Sequence, residues 1–194
     1  MEQPSLEQVR RATEGDASAI EQIVRMYYGP ILQYLHRFVG DLSDAEDLAQ
    51  EVFLRMARNL SGFDGRCRFS TWLFQIAKNA GIDCLRRRET ERQNRYSGEQ
   101  GIVLADQRDV IAEVEDAQVL WQSIGCLNDD LRAALLLRDL MGFQYQEIAE
   151  ILGCTLATVK WRIYEARARV QRRYIELSRA TAADAEGGSG DLGA

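Results

Sequence analysis

The chain has 194 residues and a net charge of −6, room for one medium domain or two small ones. Its 46 % apolar and 28 % charged residues suit a packed soluble protein; no apolar run approaches the ~18 residues that span a bilayer, and the polar start Met1 to Arg11 lacks the apolar stretch of an export signal, so cytoplasmic residence without membrane insertion is expected. Four scattered cysteines (Cys67, Cys84, Cys126, Cys154) and a single histidine, His36, supply neither clustered metal ligands nor a triad base, and there is no phosphate-binding glycine loop, so no metal, no cofactor and no enzymatic activity are expected.

Helical periodicity runs through almost the whole chain. Only Pro4 and Pro30 interrupt it, and no stretch sustains the period of two that marks a strand, so the fold is expected to be all-α. A first helix spans about Leu6 to Thr13 and stops near Gly15. Asp16 can cap the next, with Ile20, Ile23, Val24, Tyr27 and Ile31 on one face. Pro30 should kink or restart that helix, which continues through Leu35 and Val39 to Gly40. After Ser43, the acids Asp44, Glu46 and Asp47 crowd a helix start, where the macrodipole favours them. Leu48, Val52, Met56 and Leu60 then follow at intervals of four, and Asp47, Gln50, Glu51, Arg55 and Arg58 hold the opposite face. Gly62 to Ser70 is a loop, and Ser70 or Thr71 caps a helix with Trp72, Leu73, Ile76, Ala77, Ala80 and Leu85 on its apolar side. These elements make a first small helical domain over residues 1–95. Residues 96–112, with Gly98 and Gly101, read as a flexible linker. A second small helical domain over 113–179 opens with helices from Glu113 to Ile124 and from Asp129 to Met141, stopped by Gly142. Residues 180–194, rich in Ala, Gly, Ser and Asp, read as a disordered tail.

Charge is distributed in blocks. Residues 1–60 sum to −4, 61–100 to +3, 101–130 to −6, 131–180 to +4 and 181–194 to −3. Two basic blocks around an acidic stretch suggest two surfaces for phosphate backbone. Ordinary solvated helix faces would give the same sums, so charge alone does not decide.

The sharpest local signal is Tyr145 to Arg169. A helix-turn-helix needs a small residue where its helices touch, a turn residue that tolerates a left-handed backbone, and an apolar plug in the second helix. Ala149, Gly153 and Val159 fall at those positions. Thr155 can cap the second helix, which presents Thr158, Lys160, Trp161, Arg162, Glu165, Arg167 and Arg169, a mixture suited to phosphates and base edges. The second signal is Phe63 to Arg88, where Phe69, Trp72 and Phe74 precede Arg86, Arg87 and Arg88. Aromatic groups beside cations suit unstacked single-stranded bases, although Trp72 and Phe74 also suit a plain core. Lys78, Asn79 and the three arginines are the better phosphate contacts.

Together these segments resemble a family. The stretch Asp44-Ala45-Glu46-Asp47-Leu48-Ala49-Gln50-Glu51-Val52-Phe53 resembles regions 2.1–2.2 of extracytoplasmic-function sigma factors of the sigma-70 family. Phe69-Ser70-Thr71-Trp72-Leu73-Phe74-Gln75-Ile76-Ala77-Lys78-Asn79, with Asp83 and Arg86 to Arg88, resembles regions 2.3 and 2.4, and Leu131 to Gly153 with Thr158-Val159-Lys160 resembles region 4. The resemblance covers about residues 6–177 in the family's order. It implies an alternative sigma factor that binds core RNA polymerase through the β′ clamp helices and β flap, directs it to promoter DNA and nucleates opening. It implies polymerase contacts at Asp44, Asp47, Leu48, Gln50, Glu51, Leu54, Arg55 and Arg58. It implies capture of the single-stranded −10 element by Gly62, Phe63, Arg66, Arg68, Phe69, Ser70, Trp72, Lys78, Asn79, Arg86, Arg87 and Arg88. Duplex −35 reading falls to Thr155, Thr158, Lys160, Trp161, Arg162, Tyr164, Glu165, Arg167 and Arg169, and an anti-sigma factor is implied as a further partner.

The sequence departs from the family where a Gly, a Ser and an Arg are common: Ala157, Trp161 and Glu165 stand there. Glu165 accepts hydrogen bonds where Arg would donate to guanine, so the −35 sequence read is expected to differ. The competing reading is a stand-alone helix-turn-helix regulator, which leaves residues 44–88 unexplained. A redox or metal sensor built on the cysteines is a third, opposed by their wide spacing.

Overall fold

A computed structural model describes residues 1–95 and 115–187. Among these residues the chain is helical and holds no strand. The expected linker at 96–112 lies outside them, as do residues 188–194.

Helix α1 (Leu6–Thr13) opens with a capping box between Ser5 and Gln8. Helix α2 (Ala17–Val39) is capped by Asp16, whose carboxylate accepts from the amides of Ser18 at 2.9 Å and Ala19 at 3.3 Å. Pro30 does not restart α2, which is one continuous helix. Gly29 removes the Cβ that a proline ring would crowd, and the buried Tyr27, Ile31, Tyr34 and Leu35 hold both sides of the proline in one core. Helix α3 (Leu42–Asn59) starts before its acids, with Asp41 accepting from the Asp44 amide at 2.8 Å. Its stripe of Leu48, Val52 and Met56 is buried as the spacing requires.

Helix α4 (Phe69–Arg95) starts earlier than expected, so neither Ser70 nor Thr71 is its cap. Both side chains are buried in its first turn. The free amide of Ser70 is served from the N-terminal segment: it donates to Gln3 Oε1 at 3.3 Å, and Gln3 Nε2 donates to Ser70 Oγ at 2.8 Å. Helices α2 and α4 approach closely at Gly81, where an added Cβ would lie 2.7 Å from the Phe38 ring.

The second half begins with α5 (Glu115–Gly125) and α6 (Asp129–Leu135), the latter capped by Asn128. The helix expected to reach Met141 widens at Leu136–Leu140 into a π-helical turn, and Gly142 then reverses the chain at φ +74°. Helices α7 (Tyr145–Leu152) and α8 (Leu156–Gly187) complete the fold. The tail expected to be disordered from residue 180 continues α8 to Gly187. Ala180, Ala182, Ala183 and Ala185 are strong helix formers, and low hydrophobicity alone does not cancel that propensity.

The two halves pack against each other along a seam. The Phe74 and Phe143 rings meet edge to face at 4.9 Å. Arg37 sits 3.9 Å from the Trp121 ring centroid, and Gln75 Nε2 donates to the Glu150 carbonyl at 2.9 Å. Arg132 donates to the Phe38 carbonyl across the seam at 2.8 Å, and to the carbonyls of Gly125 at 2.7 Å and Leu127 at 2.8 Å within its own half. Polar atoms at Tyr34 Oη, Thr71 Oγ1 and Arg132 Nε are buried without a protein hydrogen-bond partner. Burial holds the Tyr34 phenol protonated, its pKa raised well above the ordinary value. An unpaired buried hydroxyl costs roughly 1–3 kcal/mol. Tyr34→Phe is therefore expected to stabilise the fold by about 1 kcal/mol, seen as a higher urea midpoint; a lower midpoint would mean that the hydroxyl is satisfied.

Candidate nucleic-acid interface

The exposed face of α3 carries Asp47, Gln50, Leu54 and Arg58, with Asp44, Glu51 and Arg55 half-buried beside them. Leu54 stands 57 % exposed among these polar groups. Leu48 does not join them. It is 4 % exposed and faces the core, because it lies on the same stripe as Val52 and Met56. Glu51 pairs with Arg55 at 2.6 Å, and Asp44 pairs with Arg88 of α4. Arg88 also donates to the Val39 carbonyl at 2.9 Å, closing the C-terminus of α2. The third of the consecutive arginines thus holds two helices together, while Arg86 and Arg87 are exposed.

Between α3 and α4 the chain builds an aromatic cluster. Phe63 lies 5.4 Å from Phe69 and 5.3 Å from Trp72, and Phe69 lies 5.6 Å from Tyr27. Phe69 and Ser70, expected among the contact residues, are buried and present almost no surface here. They are the floor: Phe69 seats the cluster on α2, and Ser70 fixes the helix start. Phe63 and Trp72 are half-buried at the rim, beside the exposed Gly62 and Arg66. Arg66 pairs with Asp64 at 3.1 Å. Farther along α4, Asn79 is exposed. Lys78 is half-buried, and burial pushes its ammonium below the ordinary lysine range, with Asp130 opposing the shift.

The helix-turn-helix forms as its spacing demands. Gly153 takes the left-handed backbone at φ +64° and ends α7. Ala149 and Val159 are buried between the helices. Thr155 Oγ1 accepts from the Thr158 amide at 3.1 Å, capping α8, and lies 2.8 Å from the Thr158 hydroxyl. Val159, Ile163, Ala166 and Val170 face inward. Trp161 and Tyr164 point outward at 58 % and 73 % exposure.

The cations of α8 are more committed than the sequence suggests. Arg162 is largely buried and donates to Asp130 at 2.5 Å, so it braces α6 and does not present itself outward. Arg167 makes a two-pronged contact with Asp139 at 3.1 and 2.6 Å. Arg169 pairs with Glu165 at 2.6 Å, and Arg68 reaches across the seam to Glu147 at 3.1 Å. The acidic partners Asp130, Asp139 and Glu147 were not marked by any sequence signal, since the three contacts they make outside Glu165 span 28 to 79 residues. Leu156, exposed at the start of α8, was also missed.

The thiols of Cys67 and Cys84 are pushed up by burial, which favours the protonated and less reactive form. Among the described residues no three metal-ligating side chains gather, and no helix is long and apolar enough to cross a membrane.

Residues 23–91 match the sigma-70 region 2 family and residues 117–170 the sigma-70 region 4 family. The chain is 30 % identical to the ECF RNA polymerase sigma factor SigW of Bacillus subtilis, over 91 % of this chain and 100 % of that protein. It is 33 % identical to the RNA polymerase sigma-H factor of Pseudomonas aeruginosa and 32 % identical to the ECF RNA polymerase sigma-E factor of Escherichia coli, each over 88 % of this chain and 94 % of the relative. Among solved structures it is similar to RpoE of Bartonella quintana bound to the anti-sigma factor NepR, at 25 % identity and a TM-score of 0.67, covering 79 % of this chain and 94 % of that one. It is also similar to CnrH bound to the cytosolic domain of CnrY, at 25 % identity and a TM-score of 0.65, covering 85 % and 93 %.

Proposed function

Because the chain belongs to the extracytoplasmic-function sigma factors of the sigma-70 family, we propose that its two halves divide promoter recognition, with α3 docking on core RNA polymerase, the Phe63–Trp72 rim and α4 taking the single-stranded −10 element, and α8 reading the duplex −35 element. Alternative sigma factors direct the polymerase and are initiation factors rather than enzymes, and no reaction step is assigned to this chain.

The observation that supports this division best is the aromatic rim. Phe63 and Trp72 are held half-buried by a fully packed floor, with Arg66, Arg86 and Arg87 exposed on the same half. Stacking one base on such a rim is worth roughly 1–3 kcal/mol, comparable with the few kcal/mol needed to unpair it. Capture of a flipped base therefore turns binding into nucleation of the open complex. The exposed α3 face is an acidic, mixed surface, and its docking on the polymerase would account for acidic charge on a DNA-binding chain of net charge −6. An anti-sigma factor is the expected regulator, since RpoE and CnrH are similar to this chain over most of its length and were solved with protein partners.

The test is promoter melting. The protein is mixed with a pool of randomised promoters, with and without bacterial core polymerase, and selected DNA is probed with permanganate. Selection and opening only with core supports the reading. Tight, specific binding by the protein alone, with no opening when core is added, overturns it in favour of a stand-alone regulator.

A further inference from the structure

Over its first four turns the outward stripe of α8 carries no charged side chain, the next cation on that line being Arg172. Val159, Ile163, Ala166 and Val170 face the core. At 100° per residue the opposite line is Ala157, Trp161, Tyr164 and Ala168. Leu156 adds a further exposed apolar side chain at the helix start, where a recognition helix meets base edges. Guanine is read by a free Arg or Lys that can donate twice, and cytosine by a free carboxylate. Over residues 156–169 the arginines and the carboxylate are paired: Arg162 with Asp130, Arg167 with Asp139, and Arg169 and Glu165 with each other, which leaves Lys160 as the cation without an ion pair there among the described residues. Lys160, on the flank of the stripe, suits a phosphate. An exposed indole has one N–H donor, which the N7 of either purine can accept and which therefore singles out no base, and a broad apolar face, whose distinctive major-groove partner is the 5-methyl group of thymine.

We propose that Trp161 is a specificity-determining residue of α8 and that it recognises a thymine methyl group of the −35 element, with Tyr164 flanking it. This rests on the reading of α8 as the −35 helix. It assigns an A·T pair to the position facing Trp161. The indole is available for this: it is 58 % exposed and takes part in none of the ring contacts among the described residues.

The experiment uses holoenzyme assembled from this chain and core polymerase, on a promoter selected as above. Each thymine of the −35 element is replaced in turn by deoxyuracil, which removes only the methyl group. Binding is expected to weaken about fourfold at one position, the value of one buried methyl. Trp161→Ala should bind the thymine and uracil promoters equally, and Trp161→Phe, which keeps an apolar ring, should retain most of the preference. Circular dichroism checks that each variant is folded. If the holoenzyme opens the promoter but wild type treats thymine and uracil alike at every position, the methyl inference fails and the sigma reading stands. Failure to open any promoter with core overturns both.

Discussion

Arg132→Ala is expected to lower the free energy of unfolding by about 3 kcal/mol, and Arg132→Lys to recover less than half of that loss. The guanidinium donates to three carbonyls, those of Phe38, Gly125 and Leu127, within 2.8 Å. Two of them close the last turns of α2 and α5, where carbonyls lack partners within the helix. Hydrogen bonds from a charged donor are worth roughly 1.5–3 kcal/mol each, and stranded buried acceptors add to the loss. An ammonium cannot copy the planar fork that spans acceptors on two helices. Burial also depresses the guanidinium's pKa, the sign of a charge taken out of water, a cost that its hydrogen bonds offset. Urea unfolding followed by tryptophan emission measures the effect, with Trp121 beside Arg37 reporting the seam itself. Unfolding of Arg132→Ala at the wild-type midpoint would show that Arg132 does not hold the halves together.

Leu54→Asp should leave the fold intact and weaken binding to core polymerase by roughly thirtyfold or more. Leu54 is 57 % exposed on α3, so the core loses little when it changes. An apolar side chain ringed by Gln50, Glu51 and Arg58 has the form of an interface anchor, and truncating such an anchor costs about 2 kcal/mol or more. Titration of labelled chain with core polymerase gives the affinity, and thermal melting confirms the fold. An affinity equal to wild type would remove the α3 face from the proposed polymerase contact.

Local rules were legible in the sequence wherever the cause was local. Asp16 and Thr155 cap the helices they precede, and Ala149, Gly153 and Val159 build the helix-turn-helix, because each depends on neighbours a few residues away. The boundary of α4 was misplaced because its cap comes from Gln3, 67 residues earlier. Leu48 stands among the polymerase contacts through the family resemblance, while its place on the apolar stripe with Val52 and Met56, itself legible in the spacing, turns it inward. The sequence displays cations but not their partners. Arg162, Arg167 and Arg88 read as phosphate contacts until Asp130, Asp139 and Asp44 are placed against them. Long-range pairing of this kind is set by tertiary packing and leaves no periodic signature.

The seam has a consequence in terms of populations. Arg68 is paired with Glu147 and Lys78 is half-buried beside Asp130 while the halves are together. A ligand that needs both cations free meets only the fraction of molecules whose halves have parted, and its apparent affinity scales with that fraction. One parted molecule in a hundred weakens such binding roughly a hundredfold, or ~2.7 kcal/mol. A protein that grips both halves where they join binds the joined form and shifts the balance toward it. If promoter DNA is such a ligand and the proposed anti-sigma partner grips both halves, substitutions along the seam should move the two affinities in opposite directions.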